Sequence, residues 1–190
     1  MTVDDASTNE TGRGHVELWL AGDGSRARAW NIAPAFAPME NLELSALVTR
    51  ETPDKITSYA GQVKWVITPA QTGGCNVGVV LGVSKTRGVS GETPYANALV
   101  TCNGMVGAAH LNVGANRPSG GGSTVGTWGV ALEHGFGAVA AHAEAFGERG
   151  SKATVQIGAR SEIAPKLQLD GTIGTRDRRT LYSVGVKLQF

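Results

Sequence analysis

The chain has 190 residues with 17 basic and 16 acidic side chains, so its formal charge of +1 gives no electrostatic reason to expect nucleic-acid binding. No apolar run reaches the roughly 18 residues of a transmembrane helix, but a transmembrane β-barrel, in which apolar and polar residues alternate, stays open. Glycine, at 27 residues, is about twice as frequent as usual and is poor in helix interiors, which disfavours an all-helical fold.

The first segment, residues 1–13, is polar and acidic and has no apolar periodicity. It is therefore predicted to be a disordered tail. It lacks the basic and apolar stretches of a signal peptide, so in this form an exported protein would already have lost its signal.

From Gly14 to Phe190 the hydrophobic period is two, which is the period of a β-strand. Twelve alternating segments of roughly nine to eleven residues follow one another, the length a tilted strand needs to cross a bilayer. Short stretches rich in glycine, proline and polar residues separate them, as in turns. Pro34 lies within the second segment and cannot donate a ladder hydrogen bond, so a bulge or a shorter strand is expected there.

Two β architectures fit this alternation, a soluble sandwich or jelly roll and a membrane barrel. The apolar faces carry almost no charge, while the opposite faces are rich in small and amide residues rather than in lysine and glutamate. Aromatic residues on the apolar faces lie near strand ends, as in the interfacial girdles of membrane barrels: Trp30, Phe36, Tyr59, Tyr182 and Phe190. The sequence therefore predicts one all-β domain over residues 14–190, a transmembrane antiparallel up-and-down β-barrel of about 12 strands. A soluble all-β shell or binding protein is the remote alternative.

The last strand resembles the C-terminal signal of Gram-negative outer-membrane β-barrel proteins, the class that includes porins. The resemblance covers residues 14–190 as a pattern and the last ten residues as a motif. It implies an outer-membrane location, contact with outer-membrane lipids and recognition by the barrel assembly machinery. The implied assembly signal is Tyr182, Val184, Val186, Leu188 and Phe190.

A second similarity is carried by residues 133–137 (EHGFG), 142–144 (HAE) and 167–171 (LQLDG). These segments resemble the C-terminal third of uncharacterised barrels linked to phenol-degradation pathways. No substrate is carried over from that similarity.

The two cysteines, Cys75 and Cys102, fall on consecutive predicted strands. If the hairpin between these strands is centred on residues 88–89, the two cysteines lie directly opposite each other. Because the bacterial envelope is oxidising, a disulfide is possible. The alternative is a pair of adjacent free thiols, since cross-strand disulfide geometry is demanding.

The faces opposite the apolar ones are predicted to line the lumen. Their polar residues include Glu17, Glu43, Lys64, Asn97, His110, Asn112, Glu133, His142, Glu144, Arg160, Asp170 and Lys187. Acids outnumber bases in this set, which predicts passage of small hydrophilic solutes with a weak cation preference. In a closed barrel the same charges would instead pair with one another. Twelve strands lie between filled barrels of roughly eight strands and open porins of roughly sixteen, so strand number does not decide between these states.

Hairpin counting places His110 and His142 level with Ala131, and Asn112 and Glu144 one step further along. Imidazoles and a carboxylate could ligate a metal or relay a proton. Two strand spacings, about 10 Å, make a single shared ion marginal, and isolated lumen histidines are more often solvated, so no metal and no cofactor is expected.

A lipid hydrolase would need a nucleophile, a base and an orienting group together, and the lipid face offers almost no serine, histidine or acid. No G-x-S-x-G, Walker A or dinucleotide motif occurs, so no enzyme is expected. The leading prediction is an outer-membrane channel for passive diffusion of small hydrophilic solutes. The alternative is a structural or partner-binding barrel that the tail occludes. Outward-facing Ala141, Ala143, Ala145 and Ala153 would offer a surface for a trimer, but the oligomeric state stays unassigned.

Overall fold

The computed structural model describes residues 1–68, 73–118 and 122–190. These residues form twelve β-strands. No helix among them is long and apolar enough to span a membrane. The strands are β1 (Gly14–Asp23), β2 (Arg28–Met39), β3 (Leu42–Thr52), β4 (Thr57–Val66), β5 (Gly74–Thr86), β6 (Thr93–Gly104), β7 (Gly107–Asn116), β8 (Val125–Phe136), β9 (Val139–Glu148), β10 (Thr154–Ala164), β11 (Leu167–Arg176) and β12 (Arg179–Gln189).

The strands form one closed antiparallel barrel in which each strand pairs with its neighbours in sequence. β1 closes the ring against β12, with Val16 opposite Leu188. Beyond the end of this ladder, Gly14 donates a 3.1 Å hydrogen bond to the Phe190 carbonyl and accepts one of 2.9 Å from the Phe190 amide. The predicted all-β, up-and-down barrel of about 12 strands is confirmed.

The barrel has two ends. The terminal end holds Gly14, Phe190 and tight turns, and the loop end holds mostly longer connections. The glycine-rich residues 135–137 are predicted as the turn after β8, but the observed turn is displaced toward the C-terminus. Phe136 pairs with Val139, so the turn is Gly137–Ala138, with Gly137 at the positive φ of 65° that glycine adopts readily. At the loop end, residues 118–123, which are rich in glycine and serine, are predicted as a loop, and residues 119–121 of this stretch lie outside the described residues.

Pro34 neither shortens β2 nor creates a bulge at its own position. β2 continues to Met39, and Ile32 and Ala35 keep one common register with β3. The irregularity lies between Phe36 and Met39. A proline in mid-strand is tolerated because the ladder to β3 omits the pair at Pro34.

The outer face is apolar around the whole ring. Trp30, Leu81, Ile157 and Leu132 each expose 60% or more of their surface. Such a large exposed apolar surface indicates contact with a partner or a membrane rather than with water. The residues with the least exposure, in contrast, include many polar and charged side chains that point inward.

Candidate functional site: the lumen

The lumen is lined by the polar faces of the strands. Nine of the predicted lumen residues line one interior cavity: Glu17, Glu43, Lys64, Asn97, Asn112, His142, Arg160, Asp170 and Lys187. The other three, His110, Glu133 and Glu144, contact inward-facing groups. His110 Nδ1 lies 2.9 Å from Thr101 Oγ1, Glu133 pairs with Arg160, and Glu144 holds the N-terminal segment.

Every base of the predicted lumen set has an acidic partner. Lys64 Nζ lies 2.7 Å from Asp4 Oδ1, and Arg160 Nη2 lies 2.6 Å from Glu133 Oε1. Lys187 Nζ lies 3.3 Å from Glu17 Oε1. Because acids outnumber bases, carboxylates such as Asp170 remain on the wall without an ion pair among the described residues. The lumen is therefore an acidic surface with local charge pairing.

The N-terminal segment, residues 1–13, lies inside the barrel. The sequence predicts a disordered tail, whereas in this structure lumen side chains hold the segment through hydrogen bonds. Lys64 reaches it through Asp4, and Val3 and Ala6 are almost completely buried, at 2% and 1% exposure. The segment has no helix or strand, as its lack of periodicity suggests, but the lumen supplies the contacts that the segment cannot make by itself.

The segment leaves space on both sides of it. Next to it lies a polar cavity of about 470 Å³, lined by residues such as His15, Asp170 and Lys187. Nearer the loop end lies another of about 460 Å³, lined by Tyr95, Glu148 and others. A water molecule occupies roughly 30 Å³, so each cavity has room for on the order of 15 waters. The lumen is thus narrowed and divided rather than packed like a protein core.

His110 lies level with Ala131, as expected, but His142 does not. Ala131 pairs with both His110 and Glu144, while His142 pairs with Glu133. The shift follows from the turn at Gly137–Ala138, which moves β9 by two residues relative to the assumed hairpin. In the described part of the chain, no cluster of three or more metal-ligating side chains occurs.

Cys75 and Cys102 are joined as a disulfide between β5 and β6. The two residues pair in register, with Cα atoms 4.0 Å apart and sulfurs at 2.04 Å. The link lies near the terminal end of the hairpin.

Sequence reasoning missed three lumen features. Val80 and Leu99 are aliphatic residues on inward faces, and both pack against Ala6. The signal available in the sequence was an aliphatic residue among the small and polar residues of each inward-facing strand side. Tyr95 lies over Gly82 and donates a 2.9 Å hydrogen bond to Gln62 Oε1, so its ring crosses part of the bore.

On the outer face, small residues form a groove of about 1,170 Å³ that crosses several strands. Ala141 and Ala143 lie in its floor, between Leu132 and Ile157. The alanines considered for a trimer contact therefore lie in or next to a recess rather than on a flat patch.

Comparison with known proteins gives one family and several structures. The family described as "Uncharacterised conserved protein UCP029691" matches residues 1–190. No curated protein matches the sequence. A KdgM porin solved in complex with disordered oligogalacturonate superposes with a TM-score of 0.79 at 10% identity, covering 93% of this chain and 99% of the porin.

Two further solved structures share the fold. A NanC porin has a TM-score of 0.72 at 9% identity and covers 92% of this chain and 98% of its own. Outer membrane phospholipase A from Escherichia coli, an active-site mutant, has a TM-score of 0.58 at 12% identity, with 99% and 92% coverage. The resemblance to outer-membrane barrels is thereby confirmed for the fold.

Proposed function

The chain belongs to the family described as "Uncharacterised conserved protein UCP029691", and we propose that it is an outer-membrane channel for passive diffusion of small hydrophilic solutes. The observation that carries this proposal is the inverted polarity of the closed barrel. Its outer face is apolar, and its inner face carries charged side chains and encloses a polar cavity of about 470 Å³ and a second cavity of about 460 Å³ with a mixed lining. A bilayer would cover the first face and water would fill the second. Porins with the same fold support the proposal by analogy.

The solute class follows from the lumen wall. Carboxylates such as Asp170 and Glu17 face the cavity beside the tail, and the bases there are paired. Small cations and neutral polar solutes would pass more readily than anions, because the acidic wall attracts cations and repels anions. This differs from a lumen suited to oligogalacturonate, the polyanion bound by one structural neighbour.

Membrane lipids and the assembly machinery are the proposed partners. The apolar ring would be in contact with acyl chains, and the alternating residues of β12, from Tyr182 to Phe190, would be the segment that the assembly machinery recognises. Val184, Leu188 and Phe190 expose about half of their surface on the outer face, where a partner could reach them.

An occluded structural barrel is the second candidate, and the buried N-terminal segment favours it. The two candidates differ in one respect. A channel passes solutes at least once residues 2–9 are removed. A barrel with a purely structural role passes none, with or without these residues. We expect no enzymatic activity in either case.

Solute flux into proteoliposomes tests the proposal. The full chain and a variant lacking residues 2–9 are reconstituted at equal density, and swelling is followed after addition of small sugars. Swelling that exceeds that of protein-free vesicles, by either form, supports a channel. If both forms insert as folded barrels and neither swells the vesicles, the channel proposal is wrong and the occluded barrel replaces it.

A further inference from the structure

The N-terminal segment enters the lumen at the terminal end. There Gly12 donates a 2.8 Å hydrogen bond to the Ala37 carbonyl, and the Ala37 amide donates one of 3.0 Å to the Arg13 carbonyl. These bonds extend the β1–β2 edge by a short distance. From residue 9 back to residue 2, no backbone-to-backbone bond to a strand is found among the described residues. This part of the segment is therefore held differently from the barrel.

Lumen side chains bind the backbone of the segment. Glu144 accepts hydrogen bonds from the amides of Thr2 and Val3, at 2.8 and 2.7 Å. Asn112 accepts one from the Asp4 amide and donates one to the Asp4 carbonyl, both at 2.8 Å. An asparagine that pairs with both groups of one residue acts like a neighbouring strand.

The same pattern continues toward the terminal end. Thr101 Oγ1 accepts a 2.8 Å bond from the Ala6 amide, and Glu43 accepts bonds of 3.0 and 2.8 Å from the amide and side chain of Asn9. Four side chains from different strands thus recognise an extended main chain. Main-chain recognition of this kind gives affinity, and pockets for particular side chains give specificity.

Two small pockets receive the side chains of the segment. Val80 and Leu99 form an aliphatic floor for Ala6. Gly129 leaves the space for Val3, since a Cβ at position 129 would lie 2.9 Å from Val3 Cγ2. Lys64 adds selectivity for an acidic residue through its 2.7 Å contact with Asp4.

The segment is bound less extensively than any strand. It makes side-chain contacts instead of a ladder, it buries two small apolar side chains, and open space lies beside it. Packed cores rarely leave such space. Because residues 2–9 make none of the backbone hydrogen bonds between strands in the described part of the chain, their release would leave the twelve-stranded ladder unchanged.

We propose that the lumen contains a binding site for an extended peptide, that residues 2–9 of the same chain occupy it, and that their release opens the channel. This inference rests on the proposed channel function. The ligand class is defined by the contacts: an extended main chain with small apolar side chains at two positions and an acidic residue at the position after the first. A change in selectivity accompanies release, because the segment carries Asp4 and Asp5 and its departure removes the 2.7 Å ion pair between Lys64 and Asp4.

A reversible cross-link tests the binding site. Val3→Cys/Gly129→Cys is made in a Cys75→Ser/Cys102→Ser background, because the 2.9 Å approach is close enough for a disulfide to form. The control pair is Val3→Cys/Gly61→Cys, since a Cβ at position 61 would meet open space and Gly61 lies between the exposed residues Tyr59 and Val63 of the outer face. We expect cross-linking in the first pair only. Equal or absent cross-linking in the two pairs overturns the placement of the segment.

Conductance then tests the gate. The cross-linked form should conduct little, and reduction of the cross-link should raise its conductance. The variant lacking residues 2–9 should conduct severalfold more than the full chain and should show less cation preference. A synthetic peptide of residues 1–10 should block that variant again, whereas the peptide with Val3→Asp and Ala6→Asp should not. Equal conductance of the full chain and the deletion variant overturns the gate but leaves the channel. If neither conducts although the cross-link forms, the channel function fails, and the gate fails with it.

Discussion

Val80 and Leu99 are aliphatic side chains on the lumen wall. Their exposure is 2% and 1%, and Ala6 covers them. In an open lumen both side chains would contact water, at a cost of about 25 cal/mol for each Å² of apolar surface. These two residues therefore favour the state in which the N-terminal segment covers this part of the lumen wall.

Gly129→Val tests this preference at the position that faces Val3. The added side chain would occupy the 2.9 Å space of Val3 Cγ2, so we expect the segment to leave the lumen and conductance to rise severalfold. The barrel itself should change in stability by no more than about 1 kcal/mol, because valine suits a strand. Gly61→Val is the matched control, which should leave conductance unchanged. Unaltered conductance of Gly129→Val, with the barrel folded, would contradict the account.

At the scale of elements, the hairpin β5–β6 is held by its ladder and by one covalent link. Cys75 and Cys102 are opposite each other and lie 27 positions apart in the sequence. A disulfide stabilises mainly by restricting the unfolded chain. Since the ladder already aligns this hairpin, the link adds stability without determining the fold.

Cys75→Ser/Cys102→Ser is expected to fold into the same barrel and to lose about 2 kcal/mol of unfolding free energy, at the low end for a disulfide. Denaturant unfolding in detergent measures the loss. Reductant should bring the unmodified chain to the midpoint of the variant and should not change the variant. Alkylation of two free thiols in the oxidised, unmodified chain would show that the link does not form.

β12 combines closure of the ring with the proposed assembly signal. Phe190 pairs with Gly14 through two backbone bonds, and its ring lies directly over that glycine. A substitution of Phe190 by a residue without an aromatic ring would keep the two backbone hydrogen bonds to Gly14 but would remove the exposed aromatic group.

Phe190→Ser should therefore reduce the amount of protein in the outer-membrane fraction of bacteria that export it. Refolding in detergent should be affected much less, because the ladder to β1 persists. Gln189→Ala, on the inward face of the same strand, serves as the control. An outer-membrane yield equal to that of the unmodified chain would contradict a role of Phe190 as a signal.

The strands could be predicted because each carries its own period-two pattern, whatever its partner. The register of β8–β9 could not, since the glycine-rich stretch from Gly135 to Gly137 allows more than one tight turn. A tail inside the barrel was one of the sequence-based alternatives, but the contacts that hold the N-terminal segment there could not be predicted. Its contacts run from its backbone to side chains such as Glu144 and Asn112, and such contacts leave no periodicity in the sequence.

For the whole molecule, polarity and closure together determine what the barrel can do. The ring from β1 to β12 has no free edge, so its backbone is satisfied without water, as a bilayer requires. The apolar side faces out, and the charged side encloses polar space that the N-terminal segment only partly fills. The gated, weakly cation-preferring channel that we propose would require both properties.

Single-channel recording in a planar bilayer under a KCl gradient tests this claim most directly. The account predicts discrete, reproducible steps whose reversal potential indicates a weak preference for K⁺ over Cl⁻. The preference arises from lumen carboxylates such as Asp170, and it should weaken at high salt as screening increases. Folded, inserted protein that gives no steps, with or without residues 2–9, would contradict the account.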